Sequence, residues 1–325
     1  MAHHNLKGGF MNTAEGFDSS TAMLPLLLRY AIEKRIDASP VTSIPVMSVT
    51  KAQLNNLTSD TLIRLGHSSL FMQINGQKWL IDPVFSDRAS PFNFIGPKRF
   101  HQPPITLADL PDIDGVMISH DHYDHLDEAS IKFLAQKTKH FVVPLGVEVH
   151  LKKWHVPSQA IHTLDWWQSV NLDGITLTAT PTQHFSGRGL FDKNDTLWAS
   201  YVIKSPESTL FFSGDSGYFD GFKAIGERYG PFDVTMIETG AYDKDWANIH
   251  MTPEQSLQAH IDLKGNKMMP IHNGTFDLAF HAWYEPLNRI SDIAKQAQVS
   301  VLTPMMGQAI SLKNIPDTQA WWNNI

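Results

Sequence analysis

The chain has no cysteine among its 325 residues. A disulfide framework, a zinc ribbon and a thiol nucleophile are therefore excluded, and any metal must be held by His, Asp or Glu. The same absence does not decide compartment, since it fits reducing and oxidising surroundings alike. Positive charge is not in excess either. Lys and Arg number 26 against 33 Asp and Glu, a formal net charge of −7, so no nucleic-acid partner is expected on general electrostatic grounds. No segment approaches the roughly 20 apolar residues of a membrane helix. The most apolar N-terminal stretch, Met23-Leu24-Pro25-Leu26-Leu27-Leu28, is followed at once by Arg29 and has neither a basic lead nor a small-residue cleavage site. It does not read as a signal peptide, and a cytoplasmic protein is expected. Internal repeats and low-complexity segments are also missing.

What remains is an ordinary globular balance, 42% hydrophobic and 18% charged, in a chain long enough for one large core or two smaller ones. Residues 1–60 scatter Gly, Pro, Ser, Thr and Asn with weak periodicity. They read as an arm, with one short helix near 22–35, packed on a body spanning 61–325. Strand patterns begin at 61–65, 69–74 and 78–81, with Asn75-Gly76 a strong hairpin signal. Others fall at 115–118, 140–143, 175–180, 198–204, 208–213, 233–237, 268–271 and 299–302. Asp127 reads as the N-cap of a helix over 128–138, Thr252-Pro253-Glu254-Gln255 opens another, and a third is expected over 281–297. Early hairpins followed by strands alternating with helices favour an α/β layered sandwich over a purely parallel doubly wound sheet.

The densest chemistry lies in Ser119-His120-Asp121-His122-Tyr123-Asp124-His125, a His-x-His-x-Asp-His pattern directly after the apolar run Gly115 to Ile118. Imidazole and carboxylate are ligands that zinc and iron accept, and the end of a strand holds a side chain rigidly. One ion cannot easily take all four groups, but a tight turn can send His120 and His122 to one ion and Asp124 with His125 to a neighbour. The bland alternative is a solvated His-rich loop. Three further polar residues follow strands: His184 after Thr180-Pro181, Asp215 in Ser213-Gly214-Asp215-Ser216-Gly217, and His272 after Met268 to Ile271. Taken singly, each reads as a hydrogen-bonded histidine or a turn. Delivered from one edge of a sheet, they would form a single pocket. The segment around Asp215 lacks the Gly-x-Ser-x-Gly elbow of a serine hydrolase.

These motifs resemble the metallo-β-lactamase fold hydrolases, and within them the N-acyl-phosphatidylethanolamine-hydrolysing phospholipase D branch. The likeness is carried by Leu65-Gly66-His67-Ser68, Ile81 to Ser86, Arg88 to Pro91, Ser119 to Asp127, Pro181 to His184, Gly214 to Tyr218, His260-Ile261-Asp262 and Pro270 to Phe276. The resemblance implies a four-layer αβ/βα sandwich and two zinc ions per chain, with iron or manganese as alternatives. It assigns His120, His122 and His184 to one ion, Asp124, His125 and His272 to the other, and Asp215 to both. Asp82 would orient a ligand imidazole, and His250 would contact the reacting group, unless it is simply a surface histidine at a helix entry. The implied activity is hydrolysis of a small or lipid-like phosphodiester by a metal-bridging hydroxide, with Asp124, His250 and Asp82 contributing to catalysis. A lactone or other ester hydrolase, and a non-catalytic metal-binding protein, are the alternatives. Met23 to Leu28 could touch a bilayer, but packing of the arm on the body or on a partner subunit is the favoured role. In an acidic chain at most weak, reversible membrane contact is expected, and oligomerisation is left open.

Overall fold

A computed structural model describes residues 3–5, 8–14, 17, 28–29 and 32–325. Asn75 and Gly76 both adopt left-handed backbone (φ 49° and 73°), the conformation a two-residue hairpin turn needs. They join β2 (Ser69–Ile74) to β3 (Gln77–Ile81), and β1 (Thr61–Gly66) pairs antiparallel with β2. The sheet continues in parallel through β4 (Ile113–Met117), β5 (Thr138–Pro144) and β6 (Ile161–Leu164). A second sheet is built from β7 (Ser169–Leu172), β8 (Ile175–Thr180), β9 (Ser200–Lys204), β10 (Thr209–Phe212), β11 (Phe232–Glu238), β12 (Gly265–Ile271) and β13 (Ser300–Val301), which pair in that order. A last strand, β14 (Ala309–Ser311), returns to pair with β1. Each sheet thus has seven strands.

Both faces of the first sheet are covered, which is why β1 and β2 are buried at every position. The strand period of two divides their side chains between two cores. Leu62, Met72, Ile81 and Met117 face the second sheet and meet Leu177, Tyr201, Phe212 and Met269. Ile63, Phe71, Leu80 and Val116 face outward, under α1 (Lys51–Asn55), α2 (Glu128–Leu134) and α3 (Glu148–Lys153). The second sheet is covered likewise by α4 (Gly221–Tyr229), α5 (Pro253–Asp262) and α6 (Glu285–Gln296), whose Phe222, Leu257 and Ile290 pack on Phe211 and Met268. The layers run helix, sheet, sheet, helix. This is the αβ/βα sandwich expected from the sequence.

Asp127 caps α2 as the sequence suggests, and its carboxylate also accepts from the backbone N–H groups of Phe85 and Ser86. The helix stops at Leu134 rather than 138, because residues 138–144 are drawn into β5. Thr252 and Gln255 form a reciprocal capping box with Pro253 in the first turn of α5. The helix expected from 281 starts at Glu285, with Pro286 in its first turn, where a missing N–H costs nothing. Described pieces of residues 1–60 lie against the body: Val46 bridges to Met306, and Arg35 pairs with Asp277 at 2.5 Å. Met23 to Leu27, and most of the helix expected near 22–35, lie outside the described residues. Leu28 is exposed. Among the described residues, no helix is long and apolar enough to cross a membrane.

Candidate metal centre

The chain leaving β4 runs through Ile118 and Ser119 and then turns tightly. Backbone N–H groups of His125 and Leu126 both donate to the carbonyl of His122, at 3.0 and 2.8 Å. That turn separates the four polar side chains into two sets. His120 Nε2 lies 3.0 Å from His122 Nδ1, and His184, delivered just beyond β8, brings Nε2 to 3.2 Å from the same atom. On the other side, Asp124 Oδ2 stands 3.5 Å from His125 Nε2 and 3.2 Å from His272 Nε2, the latter delivered by β12. Asp215, just past β10, reaches both sets. Its Oδ2 is 3.8 Å from the Nε2 atoms of His120 and His184 and 3.0 Å from that of His272, while Oδ1 is 3.1 Å from His125 Nε2. The structure therefore brings all seven sequence-derived candidates together, four from the first sheet and three from the second.

Burial governs the electrostatics here. It holds the His120 imidazole well below its ordinary range, helped by neighbouring His125, and holds His184 down despite the carboxylate of Asp215. Burial would also depress His125 and His272, but the carboxylates of Asp215 and Asp124 outweigh it. His125 is raised well above the usual value and His272 to about 10. Burial pushes the two carboxylates up, yet His125 and His272 hold Asp215 well below the usual range, and His125 does most of the same for Asp124. Positive charge is favoured beside the carboxylates of Asp124 and Asp215 and disfavoured on the His120 and His184 rings.

The residues fit transition-metal ions. His120, His122 and His184 place ligand atoms within 4.8 Å of one another, as do His120, His125 and Asp215. His125 Nε2 and Asp215 Oδ1 are buried without hydrogen-bond partners although they lie 3.1 Å apart. Two buried polar atoms so close and yet unsatisfied are what ligands to a common ion would leave. The all-nitrogen-and-oxygen set suits zinc, iron or manganese.

Asp82 lies behind this set, fully buried. Its carboxylate accepts from the Ser119 N–H at 2.7 Å, from the Ser119 hydroxyl at 2.6 Å and from His125 Nδ1 at 2.7 Å. Burial raises its pKa, and the bonds to His125 and Ser119 offset part of that. With Nδ1 engaged, His125 must present Nε2 to the centre. His250 is not on the surface. Its side chain is 13% exposed, its ring centroid stands 5.2 Å from those of both His184 and His272, and Nδ1 meets Glu238 Oε1 at 2.9 Å. Glu238 is fully buried at the end of β11, with its pKa raised by that burial against the pull of His250.

Two residues were not singled out as site residues from sequence. One is Glu238. The other is His67, whose Nε2 lies 3.0 Å from Asp124 Oδ2 and whose ring is 3.9 Å from that of His272. Burial, aided by His272, holds His67 down to about 3. The signal for His67 was present, because it follows directly on β1, the strand-end position that marks His184, Asp215 and His272. Glu238 gave none, being the terminal residue of a buried strand.

The centre opens into a cavity of about 540 Å³ with His122, Asp124, Asp215 and His272 on its floor. Its walls include Phe185, Leu190, Trp246, Ile249 and Leu278.

Comparison with known proteins agrees with this geometry. The β-lactamase superfamily domain matches residues 77–273. The chain is 40% identical over 323 residues to an uncharacterised protein of Mycobacterium tuberculosis, covering 97% of this chain and 86% of that one. It is 34% identical over 265 residues to N-acyl-phosphatidylethanolamine-hydrolysing phospholipase D 1 of Caenorhabditis elegans, covering 78% of this chain and 74% of that one. Among solved structures, Igni18, a metallo hydrolase of the archaeon Ignicoccus hospitalis, shares the fold with a TM-score of 0.60 at 22% identity, over 78% of this chain and 98% of that one. With two seven-stranded sheets meeting at a His and Asp cluster, the chain belongs to the β-lactamase superfamily, as a metal-dependent hydrolase of the metallo-β-lactamase fold related to the N-acyl-phosphatidylethanolamine-hydrolysing phospholipases D.

Proposed function

We propose that this protein is a zinc-dependent phosphodiesterase of phospholipase D type, acting on a lipid-like small molecule. His120, His122 and His184 would hold one ion, Asp124, His125 and His272 the other, and Asp215 both. The observation that carries this reading is the position of Asp215, whose two oxygens face the two imidazole sets at 3.0 to 3.8 Å. Two cations so held supply an acidified water and a positive field for the phosphoryl oxygens. The chain supplies the rest. Asp82 fixes the tautomer of His125. Glu238 fixes the ring of His250 at the cavity wall, where its free nitrogen is available to a leaving oxygen. The apolar walls suit an acyl chain. Leu190, on the cavity wall, is 91% exposed and Phe191 beside it 97%, so the mouth is fringed by apolar groups that can meet a lipid surface.

This reading includes a cytoplasmic protein whose contact with a bilayer is weak and reversible, in keeping with a net charge of −7. The test is turnover by zinc-loaded protein on a panel of phosphodiesters and lactones, with Asp215→Ala as control. The expected result is diester cleavage that is abolished by chelation and by Asp215→Ala, with both ions lost from the variant. Lactone turnover without diester cleavage would move the target to a carbonyl carbon. Inertness on both panels with metal bound would favour a non-catalytic metal protein.

A further inference from the structure

The amino-terminal arm assembles a second group of metal-ligand side chains outside the catalytic cavity. His3 and His4 converge on one carboxylate, that of Asp165 between β6 and β7. His3 Nε2 lies 2.5 Å from Oδ1, and His4 Nε2 lies 2.8 Å from Oδ2. One ligand atom from each of the three residues lies within 4.8 Å of the others. The Asp165 side chain is only 4% exposed and that of His3 5%, while His4 is open to solvent at 40%. Neighbouring rings fix both imidazoles: His3 lies 4.3 Å from Trp166 and His4 5.2 Å from Phe10, centroid to centroid.

A buried carboxylate needs a compensating positive charge. Among the described residues, Asp165 has no lysine or arginine in ion-pair reach, and its ion-pair partners are the two imidazoles alone. Two imidazoles and one carboxylate whose ligand atoms gather within 4.8 Å are a donor set that zinc and related ions take, and the open side of His4 leaves room for a water ligand.

We propose that His3, His4 and Asp165 form a structural metal site for a zinc-class divalent ion, separate from the catalytic centre and independent of how that centre works. The site would staple the arm to the body. Beyond it, His4 bridges to Phe10, and the side-chain amide of Asn12 then clasps the backbone of His184, donating to its carbonyl at 2.7 Å and accepting from its N–H at 3.1 Å. Metal at the arm therefore steadies the segment that carries His184.

The experiment uses the full chain, stripped by chelator, reloaded with zinc alone and desalted, then assayed for zinc per chain and for tryptic cleavage of the arm. His4→Ala changes a half-exposed side chain and Asp165→Asn keeps the shape of a buried one, so the pair guards against misfolding in either. Each variant should hold one zinc fewer than wild type while keeping the zinc that Asp215→Ala loses. Zinc should slow cleavage of the wild-type arm by about tenfold or more and leave cleavage of both variants unchanged. Equal zinc content in wild type and both variants, or equal protection by zinc in all three, would overturn the proposal.

Discussion

Asp124 and Asp127 lie three residues apart and do different work. Asp127 caps α2, whereas Asp124 faces His67, His125 and His272 and caps nothing. Asp124→Asn should therefore leave the thermal midpoint close to wild type while lowering turnover at limiting metal by about 100-fold, the upper end of what perturbing a metal's surroundings costs. Wild-type rates at limiting metal would show that Asp124 holds no ion. Glu238 invites a parallel substitution. Glu238→Gln keeps the shape but removes the charge opposite His250, so kcat should fall by about 100-fold with KM within about twofold, as expected when a proton-transfer group is mispositioned. A variant that loses only stability would mean that Glu238 merely anchors the N–H of Met251, which it also accepts at 3.2 Å. The seven candidate ligands were legible because each stands just past an apolar strand. Glu238 was not, because its partner lies twelve residues away and only the fold brings the two side chains together.

Helix α5 shows how an element's packing sets its pH response. Its His260 is buried, and Nδ1 meets the Thr235 hydroxyl oxygen on β11 at 2.7 Å. Burial lowers this histidine to about 4. An unfolded chain takes up a proton near pH 6.5 that the native state refuses until about 4. The stabilisation from the neutral ring is thus complete above about pH 6.5 and is lost progressively as pH falls towards 4. His101, lowered to about 4 by burial, acts in the same direction. His260→Asn should reduce the slope of stability against pH in this window by up to about 1.4 kcal/mol per pH unit, measured by denaturant unfolding at several pH values. An unchanged slope would exclude His260 as a contributor. The elements hidden from sequence share a physical cause. Strands β6, β7 and β14 are short, and the edge strand β7 is largely solvent-facing, so their alternation is weak. Helix α4 contains Gly226, a poor helix former, because a Cβ there would meet the Asp262 carbonyl oxygen at 2.1 Å. Close packing against α5 erased the propensity that would have revealed α4.

At the scale of the whole molecule, the strand and helix pattern foretold an α/β layered sandwich and the family resemblance its αβ/βα arrangement, but neither told which loops would project from it. Phe94 and Ile95 in the loop after β3 are 75% and 57% exposed, and Leu190 and Phe191 stand out near the cavity mouth. Their sequence contexts are unremarkable loops, and only the fold shows that nothing covers them among the described residues. Replacing Phe94 and Phe191 together by Ser should lower turnover of a phosphodiester presented in vesicles by about tenfold, through lost apolar contact with the lipid. Turnover of a short-chain, water-soluble diester should stay within about twofold. Equal losses on both substrates would place these side chains in the chemistry rather than at a membrane.

The helix-covered outer cores are contiguous in the chain: the first draws its buried residues from 54–160 and the second from 202–294. The ligands, by contrast, are divided between the halves, and β14 must come back to β1 from the far end of the chain. During synthesis the first half can gather its outer core while His184, Asp215 and His272 have yet to emerge from the ribosome. Of the seven candidate ligands of the proposed catalytic centre, an ion arriving at that stage meets His120, His122, Asp124 and His125, an incomplete cradle. Filling of the proposed catalytic centre would then wait until the second sheet has formed.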